Sequence, residues 1–305
     1  MAEVDEAAYR ETVNIHDRDF QIHSVTHRIY CVPVDEDEED RLESQHDVIQ
    51  RLFAERSRDA LFFPPIDYPM RILDCGYGRG QWAVAMAETY TDSRVTAIDI
   101  YPATLPDQPD NLECEVWNLN DPLTPTDQAN TYDLIHSRFV APGIKRTRWL
   151  DYVKDLRRLL KRNGWVQMVE YYYNFQSDSG LLTDDHAIRK WYAYYRRAME
   201  TERDPRVGSR LQDLMRNSGL VDVQGLQYSL PIGPWSTDPT LRSIGQDNLE
   251  NVAELLDSHA IWPFTHRLGW TKEQVEAFTQ QARDEVADMR YRLYMPVYVA
   301  WGRKR

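Results

Sequence analysis

Residues able to do chemistry gather most densely at Asp74-Cys75-Gly76-Tyr77-Gly78-Arg79-Gly80, directly after the apolar pair Ile72-Leu73 and ahead of a helical pattern through Trp82 and Met86. Three glycines at alternate positions let backbone N–H groups approach a ligand with no Cβ in the way, and a helix opening behind them adds its positive N-terminal end. A dinucleotide fingerprint would need G-x-G-x-x-G, but its third glycine falls on Gln81; a Walker loop would need a Gly-Lys-Ser/Thr that does not follow. Asp99, 23 residues after Gly76 and followed by Ile100, closes the next apolar run. A carboxylate there can accept both hydroxyl protons of a ribose, so the pair points to a ligand of nucleoside type.

A parallel sheet has to hold these groups. Arg71–Asp74, Val95–Asp99, Leu112–Trp117, Tyr132–Ser137 and Trp165–Tyr171 read as strands, and helical patterns such as Trp149–Arg162 separate most of them. That alternation predicts right-handed crossovers and a doubly wound α/β fold, with Asn163-Gly164 as the turn before the fifth strand. Ahead of the sheet lie the weakly patterned residues 1–30, the acid block Asp35–Asp40 and a helix from about Glu38 to Arg58. Acids in a first turn favour the positive end of a helix, so capping explains the block. Behind the fifth strand, helices are expected over about 184–203, 206–218, 240–258 and 271–290, with strands at Val221–Leu230 and Tyr294–Gly302. The expected organisation is one folded unit: a helical cap (1–65), a ligand-binding core (66–178), and helical lid insertions plus closing strands of the core sheet (179–305). Tyr171-Tyr172-Tyr173, Phe175, Trp191, Tyr192, Tyr194, Tyr195, Trp235, Trp262 and Phe264 are expected mostly as packing, with about a third lining a pocket. His136 follows a buried strand and Glu170 ends one at its carboxyl edge, where each is either a pocket residue or a bystander.

Asp-x-Gly-x-Gly-x-Gly is the first motif of the class I S-adenosylmethionine-dependent methyltransferases, and the chain resembles that family here. Asn118-Leu119 stands where the fold usually has an acid for the adenine amino group and an apolar residue against the ring. The resemblance narrows at Tyr30-Cys31-Val32-Pro33-Val34-Asp35-Glu36-Asp37-Glu38, Arg41-Leu42, Gln45-His46, Tyr132–Arg138 and Pro296–Val299, which are similar to the LaeA-like methyltransferases, fungal proteins tied to secondary metabolism. It covers roughly residues 28–302; Lys161-Arg162-Asn163-Gly164 replaces the usual Lys-Pro-Gly-Gly. It implies a Rossmann-like seven-stranded sheet, S-adenosylmethionine as donor and S-adenosylhomocysteine as product. The implied donor site is Asp74, Gly76, Tyr77, Gly78, Gly80, Asp99, Ile100, Asn118, Leu119 and Ser137, with the Tyr77 ring near the sulfonium. By analogy the N-terminal helix closes over the cofactor, which would bring Tyr30, Arg41 and His46 to the methionine carboxylate or the methyl group.

Methyl transfer from a sulfonium is an in-line displacement that chiefly needs alignment in a dry pocket. A general base serves only hydroxyl or thiol acceptors, and His46, His136 and Glu170 are the candidates. No His/Cys cluster suggests a metal. The aromatic C-terminal part points to a small, apolar, aromatic or polyketide-like acceptor. Nucleic acid is not expected: the net charge is −13, and His136-Ser137-Arg138-Phe139 stands in place of an Asn/Asp-Pro-Pro-Tyr motif. No stretch approaches the ~18 uncharged apolar residues of a membrane span. The acidic start Met1–Asp5 is unlike a secretion leader, and the three cysteines, Cys31, Cys75 and Cys114, suit a reducing compartment, the cytoplasm or nucleus. Two alternatives stand beside this reading. One is a regulator acting through a protein partner docked on Asp35–Asp40; the other is an enzyme that uses the bound cofactor without transferring its methyl group.

Overall fold

The computed structural model describes residues 6–54, 56–105, 107–123 and 129–305; the acidic start Met1–Asp5 lies outside them. The chain opens with α1 (Glu6–Tyr9), a hairpin of β1 (Thr12–Ile15) and β2 (Arg18–Gln21), and α2 (Ile22–His27). The hairpin left little trace in the sequence because β1 is largely exposed and carries no apolar alternation. α3 (Glu36–Phe53) follows, capped by Asp35, which accepts from the Glu38 N–H at 3.2 Å. The helix ends at Phe53, short of Arg58, where the N–H groups of Arg56 and Ser57 and the Ser57 hydroxyl take the Phe53 carbonyl.

The core then alternates: β3 (Arg71–Cys75), α4 (Gln81–Thr89), β4 (Arg94–Asp99), β5 (Leu112–Val116), β6 (Tyr132–Arg138), α5 (Trp149–Leu159) and β7 (Leu160–Tyr171). The remaining elements are β8 (Gln176–Ser177), α6 (Ala187–Met199), α7 (Leu211–Asn217), β9 (Val221–Pro231), α8 (Pro239–Leu268), α9 (Lys272–Val286) and β10 (Leu293–Arg303). Seven long strands lie in the order β5-β4-β3-β6-β7-β10-β9, with the two-residue β8 paired to the start of β10. β3 to β7 pair in parallel, while β10 runs antiparallel to both β7 and β9. The chain enters at the middle of the sheet on β3, winds outward to β5, then crosses back to β6. The crevice above the carboxyl ends of β3 and β6 is therefore a topological switch point, where such sheets bind ligands. One apolar layer packs α3, α4, α6 and α8 on one face, and a second packs α5 and α7 on the other.

Two expectations change. Asn163-Gly164 does not precede the fifth core strand but lies inside β7, where Asn163 takes φ 66° and the register against β6 jumps from Tyr132↔Leu160 to Leu134↔Trp165. A Cβ on Gly164 would come within 2.8 Å of the Tyr132 carbonyl oxygen, so the detour needs glycine. The helix expected over 240–258 continues through Pro263 to Leu268, because Trp262 and Phe264 beyond that point are buried. Among the described residues no helix is long and apolar enough to cross a membrane.

Candidate active site

The loops at the carboxyl ends of β3, β4, β5 and β6, roofed by residues 29–34 and one face of α3, enclose a cleft of about 1060 Å³ counted to its open mouth. Its floor is the glycine loop. Gly76 and Gly78 take φ of 76° and 55°, in the left-handed region that favours glycine, and a Cβ on Gly76 would press to 2.4 Å from Val140 Cγ1. Gly78 donates its N–H to Asp99 Oδ2 at 2.9 Å, while Tyr101 N–H donates to Oδ1 at 3.0 Å. These bonds fix the carboxylate at the cleft wall, and burial raises its pKa above the usual carboxylate range.

The structure brings Tyr30, Gly76, Tyr77, Gly78, Asp99, Ile100, Asn118 and Leu119 together on this wall. Asn118 was expected to offer an acceptor oxygen, yet its Oδ1 already accepts from the Asn120 N–H and side-chain amide, both at 3.0 Å. Both lone pairs of that oxygen are used within the loop, so Asn118 shapes the wall. Asn120 in turn donates to the Gly143 carbonyl at 2.9 Å and joins the loops after β5 and β6.

The other expected site residues stand back from the cleft wall. Gly80, φ 80°, caps α4 and faces Leu105. Asp74 is buried behind the glycine loop, and burial pushes its carboxyl up to about 7. Ser137 is buried and accepts from the Tyr152 hydroxyl at 2.9 Å. Arg41, only 2 % exposed, pairs with Glu38 at 2.6 Å and donates to Gln45 and Asn251 at 3.0 Å each, so its charge is already met. His136 stacks on Trp82 at 3.9 Å and shares a hydrogen bond with the Gln167 amide, as a core histidine does. Glu170 accepts from the Val140 N–H at 2.9 Å, and burial lifts its carboxyl to about 8. It anchors the turn after β6 from below. His46 accepts at Nδ1 from Arg138 at 2.9 Å; burial, then Arg138, hold it neutral with a pKa of about 3. A base so weak contributes little near neutral pH.

The aromatic expectation also changes: Tyr171, Tyr173, Phe175, Trp191, Tyr192, Tyr195, Trp262 and Phe264 are buried packing, and none lines the cleft. Residues that sequence reasoning passed over include Trp117, Arg138, Phe139, Val140 and Ile144. They directly follow or end β5 and β6, and the carboxyl-edge rule would have found them. The acid block is half consumed locally: Asp35 binds Arg18, Glu38 binds Arg41 and Glu39 binds Arg79.

The arrangement fits a nucleoside carrying an amino-acid tail. The glycine cradle excludes side chains, the Asp99 carboxylate is fixed at the wall, and the Trp117 Nε1–H, buried on the same wall, has no partner among the described residues. Among the described residues no group of three or more His, Cys, Asp and Glu side chains is placed to hold a metal.

The profile of a methyltransferase domain matches residues 44–224. The chain is 26% identical over 287 residues to the secondary metabolism regulator laeA of Aspergillus niger, covering 92% of this chain and 74% of that one. It is 27% identical, with the same coverage, to the protein-methionine methyltransferase laeA of Emericella nidulans. Among solved structures, Haemonchus contortus phosphoethanolamine N-methyltransferase 2 aligns with a TM-score of 0.49 and 14% identity, over 85% of this chain and 57% of that chain.

Proposed function

The chain belongs to the methyltransferase-domain family, and on that premise we propose that it transfers the methyl group of S-adenosylmethionine, by in-line displacement, to a small apolar or aromatic acceptor. The observation that carries this reading is the fixed Asp99 carboxylate facing a glycine loop with no side chain to fill it. Asp99 would accept the ribose hydroxyl protons, the Gly76–Gly80 loop would give N–H groups, and Leu119 and Ile144 would pack the adenine ring. Bound S-adenosylmethionine supplies an electrophilic methyl group on a positively charged sulfur. Tyr30, Leu42 and Phe139 give that end of the cleft an apolar wall that keeps water out and orients the acceptor. Alignment of this kind can lower a barrier by roughly 7–11 kcal/mol. Among the described residues the cleft wall carries no histidine, lysine or cysteine, and its carboxylates are engaged, Glu38 with Arg41, Glu39 with Arg79 and Asp99 with two backbone N–H groups, so the acceptors that suit it are already nucleophilic: amines, thioethers or stabilised carbanions. In this reading residues 1–65 cap the core, and residues 179–305 add helical lid insertions together with the closing strands β9 and β10 of the core sheet.

A second reading takes the acceptor to be a methionine thioether of a protein, and the name of the Emericella nidulans relative favours it. Incubation with methyl-labelled S-adenosylmethionine and a panel of aromatic amines, thioethers and polyketide-like phenols, followed by mass analysis, separates the readings. Label in a small molecule supports the first, label in protein the second. A cofactor that stays unconsumed throughout contradicts both.

A further inference from the structure

Arg138 ends β6, and its side chain lines the cleft. The other cation on the wall, Arg79, is paired with Glu39 at 2.7 Å, and Arg41 behind the wall is paired with Glu38. Arg138 differs. Its Nη2 donates to His46 Nδ1 at 2.9 Å, but a neutral imidazole offsets no charge. Among the described residues it forms no ion pair. Its guanidinium carries the further donors of a planar fork suited to an oxygen anion. Asp74 lies one strand away, on β3 beside β6, buried behind the glycine loop. The two influence each other, since Arg138 pulls the Asp74 pKa down against the larger effect of burial. Arg138 is thus the cation of the cleft wall left without an ion pair among the described residues, and it complements an anion that enters the cleft. An unpaired cation in so desolvated a place is costly until an anion reaches it.

We infer that Arg138 binds a carboxylate delivered into the cleft, namely the α-carboxylate at the methionine end of the donor. This rests on the reading of the cleft as an S-adenosylmethionine site. It also replaces Arg41, whose guanidinium is satisfied by Glu38, Gln45 and Asn251.

The test is calorimetric titration of wild type, Arg138→Gln and Arg138→Lys with two ligands. S-adenosylhomocysteine carries the amino-acid end, and 5′-methylthioadenosine lacks it. Arg138→Gln should weaken S-adenosylhomocysteine by roughly 10- to 100-fold, the range of a lost charged hydrogen bond, and leave methylthioadenosine within about threefold of wild type. Arg138→Lys should recover part of the loss. Thermal unfolding without ligand checks that each variant is folded, so that a loss of affinity is read on folded protein. An equal loss for both ligands, or an unchanged affinity for S-adenosylhomocysteine, overturns the assignment. Methylthioadenosine binding by wild type would still leave the nucleoside site standing in either case, whereas failure of wild type to bind either ligand removes both.

Discussion

The backbone N–H of Gly78 donates to Asp99 Oδ2 at 2.9 Å, which ties the loop after β3 to the end of β4. Each partner limits the other: the loop can approach the carboxylate only with a left-handed residue at position 78, and the carboxylate is held in place by the loop and by the backbone N–H groups of Ile100 and Tyr101. The bond thus couples the two features on which the nucleoside reading depends.

Removal of the Asp99 side chain should therefore act on binding more than on folding. Asp99→Ala is expected to weaken S-adenosylhomocysteine by roughly 10- to 100-fold, and Asp99→Asn by less, since an amide oxygen still accepts. Isothermal titration of the two variants checks the order. Equal affinity for Asp99→Ala and wild type would remove Asp99 from the site.

The Glu38–Arg41 pair is a structural tie between α3 and α8, through Asn251. Arg41→Met strands a buried carboxylate and should lower stability by about 3–5 kcal/mol in urea unfolding. Glu38→Gln in the same chain should return part of that loss. A variant Arg41→Met as stable as wild type would mean the pair contributes nothing.

Glu170 makes the fold sensitive to pH in a defined direction. Its carboxyl sits at about 8 in the folded chain against the ordinary 4.5, raised by burial. A raised carboxyl pKa means the folded state holds the proton longer. The stability it contributes is whole below about pH 4.5 and fades as pH climbs towards 8. Glu170→Gln keeps an acceptor for the Val140 N–H and cannot ionise. The difference in melting temperature between variant and wild type should be flat below about pH 4.5 and grow in the variant's favour up to pH 8. A difference independent of pH would show that Glu170 titrates normally.

Gly76 tests the floor of the cleft. Gly76→Ala has to adopt φ 76° and place its Cβ 2.4 Å from Val140 Cγ1. Lower thermal stability and lost nucleoside binding are expected together. Adding Val140→Ala should restore part of the stability, because it relieves the clash but not the backbone strain.

Much of this was legible in the sequence, and the reasons differ by residue. The glycine loop, Asp99 and the individual core strands are local: each is written in a short run of residues with its own period and turn. Asn118 was found by position but misread in chemistry, because its bonds to Asn120 depend on the loop's path. Arg41 was drawn to the site by the resemblance, although Glu38 and Gln45 stand three and four residues away on the same helix face and already satisfy it. His136 was drawn there by residue type, and its stacking partner Trp82 lies on a different element, where no local pattern shows it. The same holds for the aromatic residues of α6 and α8, whose size suits a pocket and a core equally until packing decides. Arg138 was passed over because nothing beside it in sequence reveals that its charge lacks a partner.

The most direct test of the central claim is calorimetric titration of S-adenosylhomocysteine into wild type and Gly78→Arg, with both shown folded by thermal unfolding. A Cβ at position 78 meets only Leu42 Cδ1 at 3.9 Å, so the arginine has room to extend into the cleft and occupy it. Micromolar binding by wild type, lost in the folded variant, is the predicted result. No binding by folded wild type, or equal binding by both proteins, would contradict the account.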